Sequence, residues 1–136
     1  MRMEERLKKA AEAHQAGCNC CVSVLMGLSD LTGISEDTCS IGWCFGGGMQ
    51  CGSVCGALTG GLMSVGVCLK GETPAEKRPA AHETAIALEK AFEEKFGSML
   101  CRDIVEKSGK RICPECIAFC TAAAGELIEK INKGEL

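Results

Sequence analysis

The chain has 136 residues, the size of one domain whose single core keeps roughly two thirds of the unfolded surface from water. Fifteen Lys and Arg stand against eighteen Asp and Glu, a net charge of −3, and the aromatic residues are four Phe and one Trp. The basic patch interleaved with stacking aromatics that nucleic-acid binding needs is missing, so no nucleic-acid partner is expected. Twelve cysteines, about 9% of the chain, reach the level at which composition alone indicates either a disulfide scaffold or a thiolate metal site.

Compartment separates those two. The segment Met1 to Lys9 is charged throughout, with no apolar stretch for a secretory signal to use. This points to a cytoplasmic protein, where thiols are held reduced and a cysteine-dense chain is more often a metal, cluster or redox protein than a stapled one. No Asp, Glu, Lys or Arg occurs from Thr38 to Leu69, and Val54 to Leu69 is almost wholly apolar. That run is shorter than the ~20 residues a bilayer span needs, so a helix buried inside a bundle is expected and no membrane association.

In chain order, Arg2 to Gln15 reads as an amphipathic helix with Leu7, Ala10, Ala11 and His14 on one side, ended by Gly17. Asn19 is placed to cap a helix from about Cys20 to Ser29, which would bury Val22, Leu25 and Met26. A short helix follows from Ser35 toward Trp43. Phe45-Gly46-Gly47-Gly48-Met49 is too flexible to hold a helix by propensity, and its backbone amides can approach whatever lies beside it. From Cys51 the series Cys51, Cys55, Leu58, Leu62, Val65, Leu69 forms one continuous helical face. Gly56, Gly60, Gly61 and Gly66 lie on the other side and let neighbouring helices approach closely, which marks this as the central helix.

Thr73-Pro74-Ala75-Glu76 is a capping box, with Pro79 delaying the regular helix that carries Ala81, Ala85, Leu88, Phe92 and Phe96 on one stripe. Gly97 is a C-cap glycine, and Ser98 opens a short helix with Cys101, Ile104 and Val105. After the basic turn Lys107 to Arg111, a last helix runs from Cys113-Pro114 to about Lys133, presenting Cys113, Cys116, Cys120, Ala123, Leu127 and Ile131 on one face. No segment alternates with period two. The expected fold is all-α, a compact bundle of five to seven helices around the glycine-rich, cysteine-bearing central helix.

Cys20, Cys21, Cys51, Cys55, Cys101, Cys113 and Cys116 all fall in or just before the first turn of an expected helix. Orphan amides and the positive end of the macrodipole favour a thiolate there, preparing the sulfur as ligand or nucleophile. Cys18-x2-Cys21, Cys51-x3-Cys55, Cys113-x2-Cys116 and Cys116-x3-Cys120 each set two sulfurs on one side of a helix. A four-thiolate zinc ribbon would hold its pairs close in sequence, whereas these pairs span the chain. An iron–sulfur cluster accepts ligands from distant segments and takes amide donors, which Gly46, Gly47 and Gly48 beside Cys51 and Cys55 can supply.

Cys113-Pro114-Glu115-Cys116 also has the form of a dithiol oxidoreductase motif, although no βαβ context surrounds it. As an alternative to a cluster, thiolates at such spacings in a bundle suit binding or storage of a soft metal, Cu(I) or Zn. His14 and His82 are isolated, and Met26, Met49, Met63 and Met99 read as core filler. Lys107, Lys110 and Arg111 form a solvated turn that an acidic redox partner protein can meet. The glycine-faced helix and the apolar excess are compatible with a homodimer. No paired carboxylates, phosphate loop or Ser-His-Asp arrangement can be assembled, so no catalysed reaction is assigned.

Several blocks together resemble the cysteine-rich redox-active proteins named for their C-GCAxxG-C-C pattern. Gly17-Cys18-Asn19-Cys20, Phe45 to Cys51, Cys55-Gly56-Ala57-Leu58-Thr59-Gly60, Phe96-Gly97-Ser98 with Cys101-Arg102-Asp103, and Cys113-Pro114-Glu115-Cys116 carry the resemblance over nearly the whole chain. It implies that Cys20, Cys51, Cys55, Cys101, Cys113 and Cys116 are the site positions. Cys18, Cys21, Cys39, Cys44, Cys68 and Cys120 are then extras. It further implies an iron–sulfur centre, since members fused to haem domains are associated with one. The expected role is electron transfer or redox sensing.

Overall fold

The computed structural model describes all 136 residues, which form eight α-helical segments and no named strand. They are α1 Met3–Gln15, α2 Cys20–Gly27, α3 Ser29–Thr32, α4 Glu36–Cys39, α5 Gly56–Cys68, α6 Pro74–Phe96, α7 Cys101–Ser108 and α8 Cys113–Asn132. Two of the eight, α3 and α4, are single turns of four residues. Short 3-10 stretches at Ser40–Phe45 and Lys110–Ile112 lead out of α4 and into α8. The expectation of an all-α bundle around α5 holds. No helix is long and apolar enough to cross a membrane.

The glycines of α5 set how closely its neighbours pack. A Cβ on Gly60 would lie 2.7 Å from the carbonyl oxygen of Cys21, so the start of α2 can rest on this helix only because the side chain is absent. Gly61 serves the other side, where a Cβ would meet Leu88 of α6 at 3.2 Å and Ala124 of α8 at 3.4 Å. The core around α5 contains Leu28, Leu58, Leu88, Phe92, Ile117, Ala124 and Ile128, all essentially inaccessible. Each large side chain among them contributes about 2 kcal/mol by burial. Phe92, Phe96 and Phe119 form an aromatic cluster between α6 and α8, with centroids 4.7 to 6.2 Å apart.

Four local expectations change. The central helix begins at Gly56 and not at Cys51. Before it, Gly47, Gly48, Met49 and Gln50 hold φ values of 62, 65, 60 and 61°, a left-handed turn that no right-handed helix can continue. The helix expected from Ser35 toward Trp43 divides into α4 and a 3-10 stretch. α6 starts at Pro74 and carries Pro79 within it, because its first turns are exposed and only one backbone bond is lost there. On α8 the buried face runs through Ile117, Cys120, Thr121, Ala124, Ile128 and Ile131, while Ala123 and Leu127 sit at its edge.

One clasp had no sequence signal. Arg6 is only 3% exposed. Its Nε donates to Asp30 at 3.0 Å and its Nη1 to Glu129 at 2.6 Å, tying α1 to α3 and α8. The two carboxylates and its burial among three helices make it a structural cation.

Candidate functional site

Local chemistry at four helix starts brings the cysteines together. Asn19 caps α2 by accepting from the Val22 amide at 2.9 Å. Its Nδ2 also donates to the carbonyls of Trp43 at 3.0 Å and Gly42 at 3.3 Å, latching the 3-10 stretch over the start of α2. A Cβ on Gly56 would stand 2.8 Å from the Phe45 carbonyl and 3.3 Å from the Cys21 amide, so the α5 start nests against the α2 start. An isolated antiparallel bridge between Val54 and Leu100 then joins α5 to α7. The Cys55 amide donates to Met99 at 2.8 Å and the Cys101 amide to Ser53 at 2.7 Å. Cys55 and Cys101 are thereby fixed at adjoining helix N-termini.

A cavity of about 200 Å³ lies where these starts meet the N-terminus of α8. Cys20, Cys55, Cys101, Cys113 and Cys116 line it, together with Gly47, Gly56, Ile104 and Lys110. Cys55 and Cys116 are buried, and Cys20, Cys101 and Cys113 are half-buried. Sulfurs from four separate segments thus ring one space. All belong to the first turn or the cap of a helix, where amides and the macrodipole favour negative charge.

Within the ring the thiols associate in two pairs that differ from the sequence spacing. The Cys20 thiol donates a hydrogen bond to Cys113, which holds Cys113 down at about 6 and raises Cys20 far above the usual thiol range. Lys110 adds a smaller push in the same direction on Cys113. The Cys116 thiol donates to Cys55, lowering Cys55 to about 7 against the opposing effect of burial and raising Cys116. The amides of Ala57 and Leu58 in the first turn of α5 support the Cys55 thiolate. Burial raises Cys101. Each pair therefore offers one ready thiolate and one retained proton, and in each the partners come from different helices.

Of the expected site residues, Cys51 stands apart. It is exposed in the left-handed loop, with its thiol turned to the Gly48 carbonyl at 3.6 Å, and it does not line the cavity. The loop conformation that delays the start of the helix to Gly56 is the reason. Among the glycines, Gly47 lines the cavity and Gly48 packs against Cys101. Gly46 instead lies against Asn19, where a Cβ would come within 2.7 Å. Cys21 and Cys39 are fully buried in a small cluster with Leu25, and burial pushes Cys21 up to about 12. Cys120 is buried in the main core and its thiol is raised well above the ordinary range, also by burial. Cys18, Cys44 and Cys68 lie elsewhere than the cavity. Ile104 and Lys110 are lining residues that spacing did not indicate; an apolar position three after Cys101 was the available signal for Ile104.

No group of three or more His, Cys, Asp or Glu side chains is arranged to hold a single metal ion. The five cysteines line one shared space.

The family model described as "Putative redox-active protein (C_GCAxxG_C_C)" matches residues 18–129. No curated protein and no solved structure matches the chain. The matched region runs from the residue before Asn19 through nearly all of α8, so every cysteine of the ring lies inside it, and the chain belongs to the C_GCAxxG_C_C family of redox-active proteins.

Proposed function

We propose that the cavity binds an iron–sulfur cluster through four of Cys20, Cys55, Cys101, Cys113 and Cys116, and that the protein transfers electrons or senses redox state in a reducing compartment. The observation that carries this reading is that five thiols from four segments ring one cavity of about 200 Å³. A lone Zn or Cu(I) ion needs its ligands focused on a point. A cluster needs each thiolate at its own iron, so ligands spread around a space suit it better.

The donor set also fits. Cys55 and Cys113 already favour the thiolate, and Gly47 presents bare backbone at the cavity wall. A bound cluster would supply one-electron chemistry. The chain's own part is to hold the thiolates at helix N-termini, to exclude water with Ile104, and to surround the site with uncharged α2 and α5. A redox partner protein would receive or supply the electrons.

Anaerobic reconstitution with iron and sulfide, followed by analysis of both per chain, tests the proposal. Stoichiometric iron and acid-labile sulfide with visible absorbance are expected. Protein that stays colourless and binds neither refutes it.

A second reading is metal-free thiol–disulfide exchange, favoured by the two thiol pairs. Here Cys113 attacks and Cys20 resolves, because Cys20 and not Cys116 is its hydrogen-bonding partner. Mass mapping of disulfides in mildly oxidised protein separates the two: a Cys20–Cys113 bond in protein unable to take up iron supports exchange.

A further inference from the structure

Of the nine residues lining the cavity, Lys110 alone carries a positive charge. It is exposed and takes part in none of the molecule's ion pairs, which engage Arg2, Arg6 and Lys8. No carboxylate on the other walls offsets it. α2 has no charged residue, and the whole stretch from Thr38 to Leu69, including the loop and α5, has none. On the remaining elements Arg102, Asp103, Glu106, Lys107, Arg111 and Glu115 are all exposed and none lines the cavity. Asp103 is occupied by the Ser98 hydroxyl, which donates to it at 2.9 Å. One fixed positive charge therefore stands at the thiol ring of a protein whose net charge is −3.

We infer that Lys110 makes the cavity selective for small anionic redox reactants. A cation without a carboxylate partner in a partly enclosed space partly offsets the thiolates of Cys55 and Cys113 and raises the local concentration of anions relative to the same space without it, even on a molecule of net negative charge. Lys110 is thus a specificity-determining residue for the redox site. This rests on the reading that the cavity is that site, and the charge of the favoured reactant goes beyond it.

Two outer-sphere oxidants of opposite charge test the inference: ferricyanide and tris(phenanthroline)cobalt(III). Each accepts one electron from the reduced centre, and no bond to the probe forms or breaks. Protein is reduced anaerobically, freed of reductant, and its oxidation by each probe is followed at low and high ionic strength. The ratio of the two rates, compared between variants, cancels the differing driving forces of the probes.

K110Q is expected to lower the ferricyanide-to-cobalt ratio about tenfold at low salt, with the difference shrinking toward unity near 1 M salt. K110E lowers it further, and K110R restores it. K107Q, on the exposed last turn of α7, leaves it unchanged. Circular dichroism verifies that each variant is folded. A ratio that K110Q does not move, or that K107Q moves equally, overturns the inference. Wild-type protein that neither probe oxidises removes the redox reading itself, which is a separate failure.

Discussion

Gly47 and Gly48 separate two effects that are usually entangled, because both are left-handed and only one is crowded. Their φ values are 62 and 65°. A Cβ at Gly47 would find nothing within 4 Å, whereas at Gly48 it would stand 2.6 Å from the Cys101 Cβ and 2.7 Å from the Ser53 nitrogen. Gly47→Ala therefore meets only the conformational penalty, about 1–2 kcal/mol for an L residue in this region, partly offset by a less flexible unfolded chain. A net loss of about 1 kcal/mol follows. Gly48→Ala adds steric overlap of about 1–3 kcal/mol, much of it against backbone that the Cys101–Ser53 hydrogen bond holds in place.

Thermal denaturation of metal-free, reduced protein reads the difference. Melting temperatures about 3 °C and about 10 °C below wild type are expected for the two variants. Met49→Gly and Gln50→Gly, at φ 60 and 61°, relieve side-chain strain and are expected to change stability by less than about 1 kcal/mol. Equal losses at Gly47 and Gly48 would refute the argument, since they would mean that the contact with Ser53 and Cys101 is not what fixes the loop.

Three further outcomes are expected. Replacing Arg6 with Ala leaves Asp30 and Glu129 without their cation and costs about 3 kcal/mol in urea denaturation, and Arg6→Met, which keeps the packing and loses only the charge, costs nearly as much; a much smaller loss for Arg6→Met would remove the ion-pair explanation. Gly60→Ala forces a Cβ to 2.7 Å from the Cys21 carbonyl and destabilises by about 2 kcal/mol. Gly66→Ala, open to solvent in the same helix, gains up to about 1 kcal/mol from helix propensity, so calorimetry should show opposite signs. The Cys113 thiol is held at about 6 and deprotonates as pH rises through that value. Its iodoacetamide rate in metal-free protein should then reach half its plateau near pH 6, and a midpoint near that of a free thiol would contradict the pairing with Cys20.

Helical periodicity made most of the bundle legible from sequence. The stripe through Leu88 and Phe92, the Asn19 and Thr73 caps and the Gly97 stop all appear in the structure because each depends on residues a turn or less apart. The site was legible at the level of which helix starts carry cysteines. Its assembly was not, because it depends on the Val54–Leu100 bridge and the Asn19 latch, which join residues 46 and 24 positions apart without any local pattern.

Cys51 shows the limit most clearly. Spacing by four from Cys55 reads as one helical face, but spacing has meaning only once the helix exists, and the left-handed turn before it delays its start to Gly56. Arg6 was hidden for a related reason. A charged residue in an amphipathic helix reads as solvent-facing until Asp30 and Glu129 arrive from elsewhere in the chain.

The most direct measurement of the central claim is a thiol footprint of anaerobically reconstituted protein, alkylated in the native state and mapped by mass spectrometry against metal-free protein. Protection by iron and sulfide is expected at four of Cys20, Cys55, Cys101, Cys113 and Cys116, with Cys44 and Cys51 alkylated in both samples. Protection centred on Cys51, or a protected set drawn from Cys18, Cys39 and Cys68, would contradict the account.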